Sequence, residues 1–241
     1  MSHAQTQKLG ILGGLGPMAT VYFYEMLTAH TKACCDAEHI DLVISSRAST
    51  PDRTAFIVGE SPIDPRTAMI EDAQKLQKWG CTQIAIPCNT AHYFYDSIAA
   101  AVDIPVLNIM EETAAFLCAD GVRCAGVLAT DGTIRSKSYE KYLSARGIRC
   151  LTPEPQMQTY VMELIYGQIK SGYPADMKLF RRCADELFSA GAERIILGCT
   201  ELSLIRRDAH LIPRRSYVDS MEVLAKSTIL ACGKEPIGFD F

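Results

Sequence analysis

The sequence has no apolar run near the roughly 18–20 residues needed to cross a bilayer, so no membrane-spanning helix is expected. It has no surplus of positive charge: 24 Lys and Arg stand against 28 Asp and Glu, for a net charge of −4. That balance argues against nucleic acid as a partner, since nucleic-acid binding needs clustered positive charge. Among its ten cysteines there is no C-x-x-C pair, so the usual signature of zinc ribbons and thioredoxin-type centres is missing. The opening MSHAQTQKLGILGG has no long apolar stretch ending at a small-residue cleavage site. A cytoplasmic protein with reduced thiols is therefore expected, most of them acting as small core hydrophobes. With 48% hydrophobic and 22% charged residues over 241 positions, the chain is too apolar for disorder. Its length suits one large domain or two small ones.

Short apolar runs alternate with longer amphipathic ones. Strands are expected at 8–14, 41–45, 82–87, 104–109, 123–129 and 194–198. Helices are expected from Pro17 onward, over 65–80, just after Cys88, and over 135–146, 156–170, 176–190 and 219–231. Pro17 suits a first helical turn, where its missing N–H has no partner to lose. Gly80 suits a helix end. Strand-then-helix alternation implies parallel strands joined by crossover helices, hence the α/β class.

The chain also repeats itself. AQKLQKWGCTQIAIPC (73–88) aligns without a gap on ADELFSAGAERIILGC (184–199), with Ala, Leu, Gly, Ile and Cys in register at an offset of 111. GILGGLG (10–16) aligns on GVLATDG (126–132) at an offset of 116. Duplication of an α/β unit explains both matches and sets equivalent loops face to face across a cleft. The expected units are 1–108 together with 215–241, and 109–214, each with a mainly parallel sheet flanked by helices.

Two of the cysteines occupy equivalent places. Cys88 in IAIPCNTAH and Cys199 in IILGCTELS each follow a strand and precede a helix. Ligands of open α/β sheets bind outside the carboxyl ends of strands. A helix N-terminus favours the thiolate. Two thiols across a cleft suit two-base proton transfer at a stereocentre, one removing a proton and the other supplying one to the opposite face. The ordinary thiol pKa of about 8.5 lies near working pH. No electron-sink cofactor is signposted, so fixed donors must stabilise the carbanion-like transition state.

PCNTAH (87–92), GCTEL (198–202), GGLGPMAT (13–20), PDRTAFI (51–57), IYGQIKSG (165–172) and ATDGTI (129–134) together resemble the cofactor-independent aspartate/glutamate racemase family, most of all its aspartate racemase branch. The resemblance covers nearly the whole chain. It implies two pseudo-symmetric α/β domains with the active site between them, a homodimer, an acidic amino acid as substrate, and neither cofactor nor metal. Carried over residue by residue, it makes Cys88 and Cys199 the catalytic thiols. Asn89 and Thr90, with Thr130, Thr133 and Thr200, become donors to the α-carboxylate, and Arg53 and Lys170 become the cations for the distal carboxylate. These residue types suit the tasks, Arg as a bidentate fork and Lys as a point charge. At Ser45-Ser46-Arg47 the chain departs from relatives that carry amides there, and Arg47 either adds a third cation or points away.

Glu201 either polarises Cys199 or simply complements a helix dipole. His92 lies four residues after Cys88, but two ligands fall short of the three a zinc site needs, so His92 reads as a packing or supporting residue. Three alternatives stand beside racemisation of aspartate or glutamate. One is isomerisation of a dicarboxylate, or racemisation of another substrate, on the same scaffold. Another is a silent acidic amino acid sensor. The last is a dinucleotide oxidoreductase, suggested by Gly14-x-Gly16-x-x-Ala19 but opposed by the lack of an acid after DLVIS.

Overall fold

Eight short strands form two four-stranded sheets in a computed structural model that describes residues 7–208 and 214–239. The first sheet holds β1 (Lys8–Gly13), β2 (Asp41–Ser46), β3 (Gln83–Ala85) and β4 (Val106–Leu107) in the order β2-β1-β3-β4. Its helices are α1 (Pro17–His30), α2 (Arg53–Ile57), α3 (Arg66–Lys78) and α4 (Tyr95–Ala99). Helix α5 (Ile109–Ala119) leads to the second sheet, β5 (Cys124–Leu128), β6 (Arg149–Leu151), β7 (Arg194–Leu197) and β8 (Tyr217–Asp219), in the order β6-β5-β7-β8. Around it run α6 (Asp131–Arg135), α7 (Ser138–Ser144), α8 (Pro155–Met162), α9 (Met177–Ser189), α10 (Thr200–Asp208) and α11 (Ser220–Ala231). Every ladder within the two sheets is parallel, as the alternation of strands and helices requires.

The repeat read from the sequence reappears in the register. Gly10 stands opposite Ile84 in the first sheet and Gly126 opposite Ile195 in the second. Ile84 then faces Val106, and Ile195 faces Tyr217. The glycines have a packing reason. A Cβ on Gly10 would lie 3.1 Å from the Leu76 Cβ, and one on Gly126 would lie 3.1 Å from the Leu187 Cβ. The same strand glycine thus admits the same helix leucine in each half. The helix caps repeat too: Asn108 caps α5 and Asp219 caps α11 through their side chains.

The largest apolar cluster belongs to both halves, with Ile11 and Phe23 of the first joined to Val127 and Leu224 of the second. Helix α11 packs on α1 and α5. The C-terminal segment 215–241, expected to complete the first unit, divides its two elements: β8 hydrogen-bonds into the second sheet while α11 packs against α1. Three expected helices are broken. The 135–146 helix becomes α6 and α7, parted at Lys137 (φ 54°). The 156–170 helix keeps α-geometry only through Met162, then widens to a π-helical turn over Glu163–Gln168 and tightens to a 3-10 turn over Ile169–Ser171. The segment after Cys88 opens as a 3-10 turn, Thr90–Phe94, before α4. Among the described residues no helix is long and apolar enough to cross a membrane.

Candidate active site

The loops leaving β3 and β7 carry Cys88 and Cys199 to one narrow cavity, partly open to solvent. Both cysteines are buried. Cys199 directly precedes α10, at the helix end where backbone N–H groups lack intrahelical partners. Of the other residues expected at the site, Asn89, Thr90, Thr130, Thr200, Arg53 and Lys170 all border the same cavity. Thr133 does not, but its hydroxyl lies 3.3 Å from those of both Thr90 and Thr130, and Thr90 and Thr130 are 2.9 Å apart. This buried cluster of three hydroxyls joins the two halves. Gly132 permits the approach, because a Cβ there would lie 3.1 Å from the backbone of Thr54.

Arg53 sits at the start of α2, which Asp52 caps by accepting from the Ala55 N–H at 2.8 Å. Its guanidinium donates to the carbonyls of Thr50, Pro51 and Leu15, at 3.3, 3.1 and 2.7 Å. Its Nε is buried with no partner. A buried donor without an acceptor costs free energy. Lys170, on the 3-10 turn after α8, places Nζ 3.7 Å from the Glu201 carboxylate and 4.2 Å above the centre of the Tyr166 ring. Burial works against its charge, but Glu201 and Cys199 outweigh that and hold the ammonium well above its ordinary range.

Glu201 also reaches Cys199. The thiol donates to the carboxylate at 2.9 Å, and the Thr200 hydroxyl donates to the same oxygen at 3.3 Å. Burial first, and then the charge of Glu201, push the Cys199 pKa well above the usual thiol range against the pull of Lys170. Of the two readings of Glu201, the one that couples it to Cys199 matches this geometry. Arg47 points away: it pairs with Glu71 at 3.0 Å and Asp72 at 3.7 Å on α3. His92 supports the loop. It bonds the Cys88 carbonyl at 2.8 Å through Nδ1, and its Nε2 accepts from the Ile109 N–H at 3.1 Å. Leu15, Asp52, Thr54 and Tyr166 also line the cavity and were not singled out by sequence. All four lay inside quoted motifs, Leu15 in GGLGPMAT, Asp52 and Thr54 in PDRTAFI and Tyr166 in IYGQIKSG, but were given no role. Among the described residues no group of three or more His, Cys, Asp or Glu is arranged to hold a metal.

Residues 12–228 match the family described as Asp/Glu/hydantoin racemase. The chain belongs to that family. As an amino-acid racemase it is similar to the broad specificity amino-acid racemase RacX of Bacillus subtilis, with 32% identity over 92% of this chain and 96% of that one. Among solved structures it resembles the aspartate racemase of Picrophilus torridus, with 28% identity, a TM-score of 0.80 and coverage of 96% of each chain. An aspartate racemase homologue from Pyrococcus horikoshii shares the fold, with 24% identity, a TM-score of 0.75 and coverage of 94% of this racemase and 99% of that chain. The dinucleotide oxidoreductase reading falls with this membership.

Proposed function

We propose that the protein interconverts the enantiomers of an acidic amino acid, aspartate above glutamate, by proton transfer between a thiolate and a thiol. One observation carries the reading. Cysteines from equivalent positions of the two halves border a single cavity that two basic residues, Arg53 and Lys170, also border. In the proposed cycle Asn89, Thr90, Thr130 and Thr200 donate to the α-carboxylate, with Thr133 bracing the hydroxyl cluster. Arg53 and Lys170 take the distal carboxylate. Glu201 and burial keep Cys199 as the thiol, so the thiolate falls to Cys88. The Cys88 sulfur removes the α-proton, the electron pair spreads into the α-carboxylate, and Cys199 gives its S–H proton to the opposite face. The sulfurs thereby exchange protonation states, and the reverse reaction or solvent restores them. The likeness to the Picrophilus torridus aspartate racemase supports the substrate. A soluble homodimer in the cytoplasm, without cofactor, is part of the same proposal.

A second reading, racemisation of amino acids with neutral or basic side chains, has one observation in its favour. Asp52 and Glu201 border the cavity together with Arg53 and Lys170, so two carboxylates face two cations. The likeness to a broad specificity racemase points the same way. Chiral chromatography after separate incubation with L-aspartate, D-aspartate, L-glutamate, L-alanine and L-lysine separates the readings. Inversion of aspartate is expected. Inversion of lysine or alanine without aspartate or glutamate moves the assignment to the second reading. Cys88→Ser and Cys199→Ser should each nearly abolish inversion while leaving solvent exchange of the α-proton from one enantiomer. Full racemisation by either variant would overturn the paired-base mechanism.

A further inference from the structure

Asn89 follows Cys88 directly and is almost completely buried, at 1% exposure, on the wall of the cavity. Its amide has one oxygen acceptor and two N–H donors. The neighbours fix which way round it sits. The Ser220 hydroxyl spends its single proton on the Leu197 carbonyl at 2.8 Å. Toward Asn89, 3.0 Å away, Ser220 can therefore only accept, so that side of the amide is the NH2 group. The other side is then Oδ1, and the Tyr139 hydroxyl donates to it at 2.6 Å. One N–H is left over, and it belongs to a residue that faces the cavity.

We infer that Tyr139 is a positioning residue that orients the Asn89 amide toward the substrate α-carboxylate and ties the two thiol loops to each other. The inference rests on the reading of Asn89 as a carboxylate donor under the proposed function. Tyr139 touches both loops. Its hydroxyl bonds Asn89, next to Cys88, while its ring edge lies beside Gly198, next to Cys199. A Cβ at Gly198 would stand 3.0 Å from Tyr139 Cε2, so glycine is what lets the ring in. Ser220 closes the ring of contacts by holding Asn89 on one side and the carbonyl before Gly198 on the other. The left-handed break at Lys137, the one non-glycine positive φ among the described residues, starts α7 where Tyr139 can turn inward. The phenol is buried at 2% exposure, and that burial keeps it protonated far above its ordinary range, so it stays a donor at any working pH.

Without the hydroxyl, Oδ1 loses its partner and the amide is free to turn its oxygen toward the substrate carboxylate. Tyr139→Phe should lower kcat/KM for L-aspartate by about tenfold, mainly through KM, and by the same factor for L-glutamate, since both share the α-carboxylate. The decisive measurement is a double-mutant cycle with Asn89→Ala. If Tyr139 acts through Asn89, adding Tyr139→Phe to Asn89→Ala costs less than about twofold. Multiplied costs would overturn the inference and leave Tyr139 a packing residue. Thermal melting checks folding. If Tyr139→Phe does not fold, 4-methylphenylalanine at position 139, which fills the same space without a donor, enters the same cycle with Asn89→Ala, and multiplied costs again overturn the inference. An Asn89→Ala variant with undiminished kcat/KM would instead remove the reading of Asn89, a separate failure.

Discussion

The surroundings of the two thiols differ most plainly at Glu201. The offset of 111 that sets Cys199 on Cys88 also sets Glu201 on Thr90. One half therefore has a hydroxyl that bonds Thr130, and the other has a carboxylate that accepts the thiol proton. Burial and Glu201 both favour the neutral form of Cys199. Glu201→Gln removes the second influence and leaves Lys170 without its counterion, and both changes favour thiolate. In a Cys88→Ser background, the pH midpoint for alkylation of Cys199 should therefore move downward. An unmoved midpoint would mean that burial alone sets the acidity. The conformations of the glycines are equally specific. Gly14 has φ +81°, and a Cβ on it would collide with the Arg47 backbone, so the β1–α1 turn tolerates no larger residue.

Among the elements, His92 joins the Cys88 loop to the start of α5 through the Cys88 carbonyl and the Ile109 N–H. Burial pulls its pKa down to about 4, against the two backbone carbonyls that favour the charged ring. In the unfolded chain it titrates near 6.5. The sign follows. Above about pH 6.5 both states are neutral and the full stability is present. Between about 6.5 and 4 only the unfolded chain takes up the proton, and stability falls by up to about 3 kcal/mol. Urea melts of His92→Gln should show a flatter dependence over that window, and an unchanged slope would place the proton uptake elsewhere. Several features of this kind were legible beforehand. Cysteines at strand ends, a glycine–leucine pattern repeated at two offsets, and the helix start at Pro17 all leave local marks. The remainder did not. Strands β6 and β8 are three residues each, too short to show an alternation. The break at Lys137 has no proline or glycine to announce it. The change of helical pitch that carries Lys170 to the cavity was not read from the segment, which was expected as one continuous helix.

For the molecule as a whole, equal topology in the two sheets comes with a shared apolar cluster, the largest, beside a smaller one in each half. The halves should accordingly unfold together. Gly10→Ala and Gly126→Ala each force a methyl against a helix leucine, at a cost of roughly 1–3 kcal/mol. Calorimetry should show either variant lowering a single transition, and two separated transitions would mean that the halves are independent. The sequence repeat predicted two similar units with mainly parallel sheets but no strand order. It could not foretell that α11 would pack across both halves, because that contact depends on surfaces far apart in the chain.

The carboxylate beside only one sulfur has a consequence for turnover. Mirror-image amino acids have equal free energy in water, so kcat/KM must be identical in the two directions whatever the enzyme contributes. The imbalance created by Glu201 can then surface only as a trade within that ratio: the enantiomer that turns over faster must also saturate the enzyme at a proportionally higher concentration.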